Sequence, residues 1–286
     1  MEHWHCMLSN EERTTLFPDE ARMRAGVRAV VRVTAEELVA FNLVDSHIHL
    51  VLHGTRERVG RLMQAAGLAL CVPACARLSA ARIKPVNGRG HMEKLIGYVL
   101  AQDWHHGTYR HPALASGSFF QDLVGARVMD GFRLRLVNVL PRYRVRQAFQ
   151  SVSLPPEPLE PADDERIRQV GPARLVEAAA AACCVGSELR ARPSSERRKS
   201  ESRRPHPFCT RAEKRARRCV SSLARKAGLQ SADIGDLLGR SPRAIRHLAI
   251  NGEDEAAERA TRFRIALEDR VSALPRVGAE SQVASM

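Results

Sequence analysis

The sequence of 286 residues has few aromatic residues and no long apolar run. Aromatic side chains make up 5% of it, with two tryptophans and three tyrosines, so a catalytic tyrosine would be one of only three. No segment approaches the roughly 18 consecutive apolar residues that a membrane span needs. The first fifteen residues have neither a basic start nor an apolar core, so we expect no signal peptide and no membrane partner.

The cysteines also lack a pattern. Their number, seven, is odd, and their spacing does not match a disulfide framework. Cys71 and Cys75 have no second pair that would complete a zinc site. We therefore expect all seven to be reduced structural thiols in a cytoplasmic protein.

Positive charge is abundant, because the sequence has 45 Lys and Arg residues and only 32 Asp and Glu residues, for a net charge of +13. Only five of the 45 cations are lysines. Residues 187–225 contain thirteen Lys or Arg residues and four acidic residues, which accounts for +9 of the net charge. This balance favours a polyanionic partner, and nucleic acid is the first candidate.

The composition divides the chain into four parts. Residues 1–150 alternate apolar runs with helical patterns and predict one domain. Residues 151–209 are typical of a linker, with a proline- and acid-rich start, a short alanine-rich helix and a basic segment. Residues 210–275 have helical patterns throughout and predict a second domain, and residues 276–286 predict a flexible tail.

The first domain has the pattern of a ferredoxin-like α+β sandwich. We expect helices after the caps Asp19 and Thr55, and a hairpin whose strands join at Asp45 and Ser46. The order βαββαβ followed by a helix is the ferredoxin-like order. The predicted strands are His3–Ser9, Leu38–Val44, His47–His53 and Arg82–Asn87, and the appended helix is His91–Asp103.

The strand from Ser46 to His53 alternates strongly. Ile48, Leu50 and Leu52 share one face with Ser46, which leaves His47, His49 and His53 on the other. Two imidazoles at positions i and i+2 of a rigid strand can bind one divalent ion. The alternative is a half-exposed face with incidental histidines, since His3 and His5 have the same spacing.

The predicted helix His91–Asp103 carries a tyrosine beside its apolar stripe. Tyr98 and Gln102 are four residues apart, so they lie on one edge of the helix. A nucleophilic tyrosine and an amide oxygen ligand would then face the same site. His91 and His105 project on that edge too, and either would assist Tyr98 or be simply solvated. Tyr109 and Tyr143 are the alternative nucleophiles, but neither has a ligand-type residue one helical turn away.

These residues resemble a known family. The segment from Val44 to Leu50 is similar to the metal-binding strand of the HUH single-tyrosine transposases, especially the REP-associated tyrosine transposases. The segment from Tyr98 to Gln102, followed by His106–Gly107 and Asp122–Gly125, resembles that family's nucleophile helix. The resemblance covers about residues 4–130.

The resemblance implies a site and a mechanism. His47, His49 and Gln102 would bind Mg²⁺ or Mn²⁺, and Tyr98 would attack a phosphodiester of single-stranded or hairpin DNA. A 5′-phosphotyrosine and a free 3′-hydroxyl would result, so that the strand can be rejoined without ATP. The resemblance also implies a bacterial, nucleoid-associated protein, with a homodimer as an open alternative to a monomer.

The C-terminal pattern predicts a helix-turn-helix. Ser231 is the expected cap of a short helix, Gly239 makes a turn, and Ser241 with Pro242 begins the next helix. Arg243, Arg246 and His247 lie on one face of that helix and would bind duplex DNA in the major groove. The stretch resembles helix-turn-helix domains appended to transposases, and the alternative is a helical bundle with a solvated basic face.

The sequence therefore predicts a transposase-like enzyme that nicks and rejoins single-stranded DNA. One alternative is a catalytically inactive DNA-binding regulator built on the same domains. A second is a metal-dependent hydrolase of small phosphoesters.

Overall fold

The structure is a computed structural model. It describes residues 2–10, 12, 14–106, 111–117, 119–129, 147, 154, 157–186, 189, 210–250 and 253–274. This part of the chain is an α+β protein with a four-stranded antiparallel sheet followed by helices. Tyr109, Tyr143, most of the basic segment and the predicted tail lie outside the described residues.

The sheet has the strand order β2-β3-β1-β4. Its strands are β1 (His3–Ser9), β2 (Leu38–Leu43), β3 (His47–His53) and β4 (Arg82–Pro85). The predicted hairpin between β2 and β3 is confirmed, since the Val44 amide donates to the His47 carbonyl at 3.0 Å. β4 is short and lies at an edge, next to β1.

Helices follow the strands with their caps mostly where the sequence predicts them. The predicted caps Asp19 and Thr55 each accept a hydrogen bond from the first turn of a helix, and Thr210, which was not predicted as a cap, does the same. The prediction that Ser231 is a cap is wrong, because it is the first helical residue and Gln230 precedes it without a side-chain bond. The helices are α1 (Glu20–Thr34), α2 (Arg56–Leu70), α3 (Gly88–Leu100), α4 (Gln102–His105), α5 (Phe119–Leu123), α6 (Asp164–Ala182), α7 (Arg211–Lys226), α8 (Ser231–Leu238), α9 (Pro242–Ile250) and α10 (Glu255–Ser272).

One face of the sheet is packed against α1 and α2. The alternating residues of β3 that the pattern placed inward, Ile48, Leu50 and Leu52, are fully buried there. Trp4 and Cys6 of β1 join the same cluster. The period of two therefore decides which face of β3 carries its histidines.

The opposite face is partly covered by α3. Met92, Leu95, Ile96 and Val99 of its apolar stripe are buried against a cluster that includes Val51 of β3. The predicted single helix His91–Asp103 is two helices, because the regular structure is interrupted at Ala101 between α3 and α4. The interruption is slight, since the His105 amide still donates to the Ala101 carbonyl.

The C-terminal helices form a second cluster. The alanine-rich part of α6, which was predicted to lie in the linker, is buried against α7 and α10, and α6 is kinked at Gly171 with a φ of 78°. Leu267 of α10 is buried in the cluster that contains the stripe of α3. None of the helices in the described ranges is long and apolar enough to cross a membrane.

Candidate functional site

The site lies where the histidine face of β3 meets the end of α3. His49 is fully buried, His47 is half-buried, and their ring centroids are 4.6 Å apart with the rings nearly perpendicular. The structure thus brings the two predicted ligands together on adjacent positions of one strand face.

Gln102 joins them from α4. It is 1% exposed, and its Oε1 lies 3.2 Å from His47 Nε2. Its Nε2 donates to the Tyr98 carbonyl at 3.1 Å, which orients the amide so that the oxygen faces the histidine. A glutamine four residues after Tyr98 is therefore bonded both to the nucleophile candidate's backbone and to a candidate ligand.

Tyr98 stands at the open side of this group. Its ring is 5.3 Å from the His49 ring, centroid to centroid, and 6.2 Å from that of His5, edge-on in both cases. The residue is 50% exposed, although Leu95 and Val99 beside it on the helix are buried. A substrate can therefore reach its hydroxyl from solvent.

His5 belongs to the site, although the sequence did not predict it. Its Nε2 is 3.0 Å from Nδ1 of His49, and the two rings are stacked. When His49 Nδ1 is the donor, its Nε2 keeps a lone pair, which is how metal-binding histidines are commonly oriented. The repeated His-x-His spacing on β1 was the available signal, but spacing alone did not show that β1 pairs with β3.

His106 and Asp45 complete the surroundings of His47. The ring of His106 lies 4.7 Å from that of His47, and its Nδ1 is 3.5 Å from Asp45 Oδ1. His105, a predicted assistant of Tyr98, is exposed with its ring against His106. The other predicted assistant, His91, accepts a hydrogen bond from the Asn87 amide.

The histidines of the site are held in the neutral form. Burial first, and then the neighbouring His47 and His5, lower the pKa of His49 to about 3, although an interaction with the Gln102 side chain opposes the shift. Burial and then His106 lower the pKa of His47, and burial and then Lys84 lower that of His5. Neutral imidazoles retain the lone pair that a metal ligand needs.

Whether a divalent cation fits these residues can be judged from their unpaired atoms. His49 Nε2 is buried and has no hydrogen-bond partner, which is costly unless something binds there. His47 Nε2 and Gln102 Oε1 are paired with each other at 3.2 Å, so a cation would replace that hydrogen bond. Within the described ranges, no three His, Cys, Asp or Glu side chains form a group that could hold a metal. The candidate set therefore fits a cation only with the Gln102 amide as its third ligand.

Asn42 of β2 anchors both helices that carry the site. It is 3% exposed and lies opposite His49 in the sheet. Its Nδ2 donates to the Val99 carbonyl at 3.0 Å and to Asp103 Oδ2 at 2.9 Å. Since these two residues adjoin Tyr98 and Gln102, Asn42 fixes the position of both relative to the histidine strand.

The predicted duplex-binding residues lie elsewhere, on α9. Arg243, Arg246 and His247 stand there on the side away from Ile245, which faces the helical core, and both arginines are exposed. The turn before α9 is as expected, since Gly239 has a φ of 62° and Ser241 Oγ accepts from the Ala244 amide.

Comparison with family models, curated proteins and solved structures gave no match.

Proposed function

We propose that this protein is an HUH-type, transposase-like enzyme that cuts and rejoins single-stranded DNA with Tyr98 as its nucleophile. One observation carries the proposal: a half-exposed tyrosine lies against a buried, neutral histidine whose Nε2 has no partner. The strand order and the order of elements support a ferredoxin-like sandwich as the fold of this part.

The chemistry follows from the position of Tyr98. Its oxygen would attack a backbone phosphorus, the bond from phosphorus to the 3′ oxygen would break, and the leaving oxygen would take up a proton. The phenol loses its own proton in this step. The phosphodiester energy is kept in the phosphotyrosine, so a 3′-hydroxyl can attack it and restore a continuous strand.

His47, His49 and Gln102 are the residues that would hold a divalent cation. When bound, such a cation supplies charge withdrawal from the scissile phosphate and fixes its orientation. The chain's own contribution is to hold these donors rigidly, through the hydrogen bonds of Gln102 to Tyr98 and of His49 to His5.

We propose further that α8 and α9 form a helix-turn-helix that binds duplex DNA. Two short helices joined at a left-handed glycine support this, as does the exposed basic face of α9. The double variant Arg243→Ala/Arg246→Ala should weaken duplex binding and reduce its salt dependence. Arg32→Ala, which removes an exposed arginine from α1, is the control and should leave duplex affinity unchanged.

A catalytically inactive DNA-binding regulator is the second candidate. It is favoured by the observation that the candidate ligand set in the described part of the chain, two histidines and a neutral amide, contains no carboxylate. The same α9 surface would serve either protein, so only the chemical step separates them.

A covalent-capture experiment tests the proposal. Labelled single-stranded hairpin DNA is incubated with the full chain and Mn²⁺, and the products are separated on a denaturing gel. We expect a DNA–protein adduct with the unaltered chain and none with Tyr98→Phe, which retains the ring and loses one hydroxyl. Absence of any adduct over a panel of hairpins would favour the regulator.

A further inference from the structure

We propose that a strip of cationic side chains guides the backbone of single-stranded DNA to Tyr98. This cationic strip consists of Arg82 and Lys84 on β4 and Lys94 on α3. The inference rests on the proposed function, because it names the surface through which that site would hold its substrate.

The β4 part of the strip lies on the same face of the sheet as the site histidines. Lys84 is opposite His5 and Arg82 is opposite Met7 in the β1–β4 pair. Directly opposed residues of an antiparallel pair project to the same side. Both cations are exposed, while Ile83 between them faces the core of α1 and α2.

The α3 part continues towards the nucleophile. Lys94 and Tyr98 are four residues apart, so they lie on one side of the helix. Both are exposed, whereas Met92, Leu95 and Val99 are buried. Gly90 and Gly97 leave open space along the helix, since a Cβ at either would meet nothing within 4 Å.

His5 connects the two parts. Lys84 lies directly opposite it in the β1–β4 pair. The ring of His5 in turn lies against those of His49 and Tyr98. The strip is therefore adjacent to the site and does not form a separate patch.

The strip has charge that no carboxylate offsets. Among the described residues, Arg82, Lys84 and Lys94 form no ion pair, whereas Arg89 on the same helix pairs with Glu93 at 3.3 Å. Many other arginines of this chain are likewise paired, for example Arg58 with Glu37. Unpaired cations that end at an exposed aromatic ring are the combination by which proteins bind single strands.

The strip is a single line of cations, which favours one phosphate backbone over two. A duplex would also present a second strand, for which the strip itself has no second row of charges. Lysine on an edge strand can also serve only to block pairing with other sheets. That role would leave DNA binding unchanged when the lysine is removed.

The test is a salt titration of single-strand affinity. All variants are made in the Tyr98→Phe chain, so that binding is measured without covalent capture. For Arg82→Ala/Lys84→Ala we expect weaker binding of a single-stranded oligonucleotide. The slope of log affinity against log salt should become flatter by roughly 0.7 for each phosphate that the variant no longer neutralises. Arg32→Ala, on the helix layer of the other face, should leave slope and affinity as they were.

Two results would overturn the strip: an unchanged slope in Arg82→Ala/Lys84→Ala, or an equal change in Arg32→Ala. A stronger effect on duplex than on single-strand affinity would overturn the choice of ligand. The covalent-capture assay on the chain with Tyr98 is separate. If the slope flattens and no adduct forms, the strip proposal stands and the nuclease proposal is wrong. If an adduct forms and the slope is unchanged, the nuclease proposal stands and the strip proposal is wrong.

Discussion

His49 shows how a single buried side chain can indicate chemistry. A fully buried imidazole with one unpaired nitrogen costs free energy, and burial first, then the neighbouring histidines, lower its pKa so that it stays neutral. The cost is offset if the nitrogen binds a cation during function. This reasoning gives the first prediction.

His47→Ala and His49→Ala should each abolish cleavage, together with its dependence on Mg²⁺ or Mn²⁺. Each substitution should lower the cleavage rate by more than the roughly 10–100-fold loss that is typical when a residue hydrogen-bonded to a metal ligand is removed. Gln102→Ala should be milder, because a water molecule can take the place of one neutral oxygen ligand on a hard cation. Cleavage is measured at fixed DNA over a metal titration, and cleavage that persists in EDTA would contradict the metal site.

Asp122 gives a prediction about stability and pH. Its Oδ2 is buried without a partner, and burial raises its pKa to about 7 although Arg127 opposes the shift. A raised pKa means that the folded chain binds a proton which the unfolded chain releases near pH 4. The contribution of this proton to the stability of the folded chain is therefore complete below about pH 4, and it is lost as the pH rises through about 7.

Asp122→Asn removes this dependence, since the amide is neutral at every pH. We expect the variant to gain stability relative to the unaltered chain at pH 8, by about 1 kcal/mol or more, and to gain little at pH 4. Urea unfolding at both pH values measures it. Asp236→Asn, at an exposed position, is the control, and an equal gain at both pH values would contradict the explanation.

At the scale of elements, most of the fold could be predicted from the sequence. Periodicity located the strands, and it placed His47 and His49 on the face away from Ile48. It could not locate His5, because that contact depends on the pairing of β1 with β3. Nor could it find the role of Asn42, since every residue of β2 is buried and the strand does not alternate.

The turn between α8 and α9 depends on a close approach that only glycine permits. A Cβ on Gly235 would lie 2.5 Å from the Arg240 carbonyl oxygen, which is backbone and cannot move aside cheaply. Gly235→Ala should therefore destabilise the chain by about 1–3 kcal/mol and weaken duplex binding. Gly67→Ala, where a Cβ meets nothing within 4 Å, should be neutral or stabilising by up to about 1 kcal/mol. Thermal unfolding compares them, and equal stability of the two variants would contradict the packing argument.

At the scale of the whole molecule, the C-terminal helix is part of the core that supports the site. Leu267 of α10 is 1% exposed in the cluster that contains Ile96 and Val99 of α3, and Gly125 lies close to Phe263. The sequence could not predict this contact, because the pattern of α10 shows only that one face is apolar. It does not show what covers that face.

Leu267→Ala should lower the free energy of unfolding by about 2–5 kcal/mol. Because the cavity opens beside the stripe of α3, hydrogen exchange at the amides of Ile96 and Val99 should also become faster. Leu68→Ala, at a position that is 70% exposed, should change neither quantity by much. If exchange in the Leu267 variant becomes faster in α10 alone, then α10 and α3 unfold independently, and the claim that α10 supports the site is wrong.

The position of the covalent bond tests the central claim most directly. The chain has three tyrosines, and trypsin leaves Tyr98 and Tyr109 together on the peptide of residues 95–110. After capture of single-stranded hairpin DNA with Mn²⁺ and nuclease digestion, fragment ions of that peptide locate the residual nucleotide. We predict its mass on fragments that contain Tyr98 and lack Tyr109. A nucleotide on Tyr109 or Tyr143, or on no tyrosine, would contradict the account.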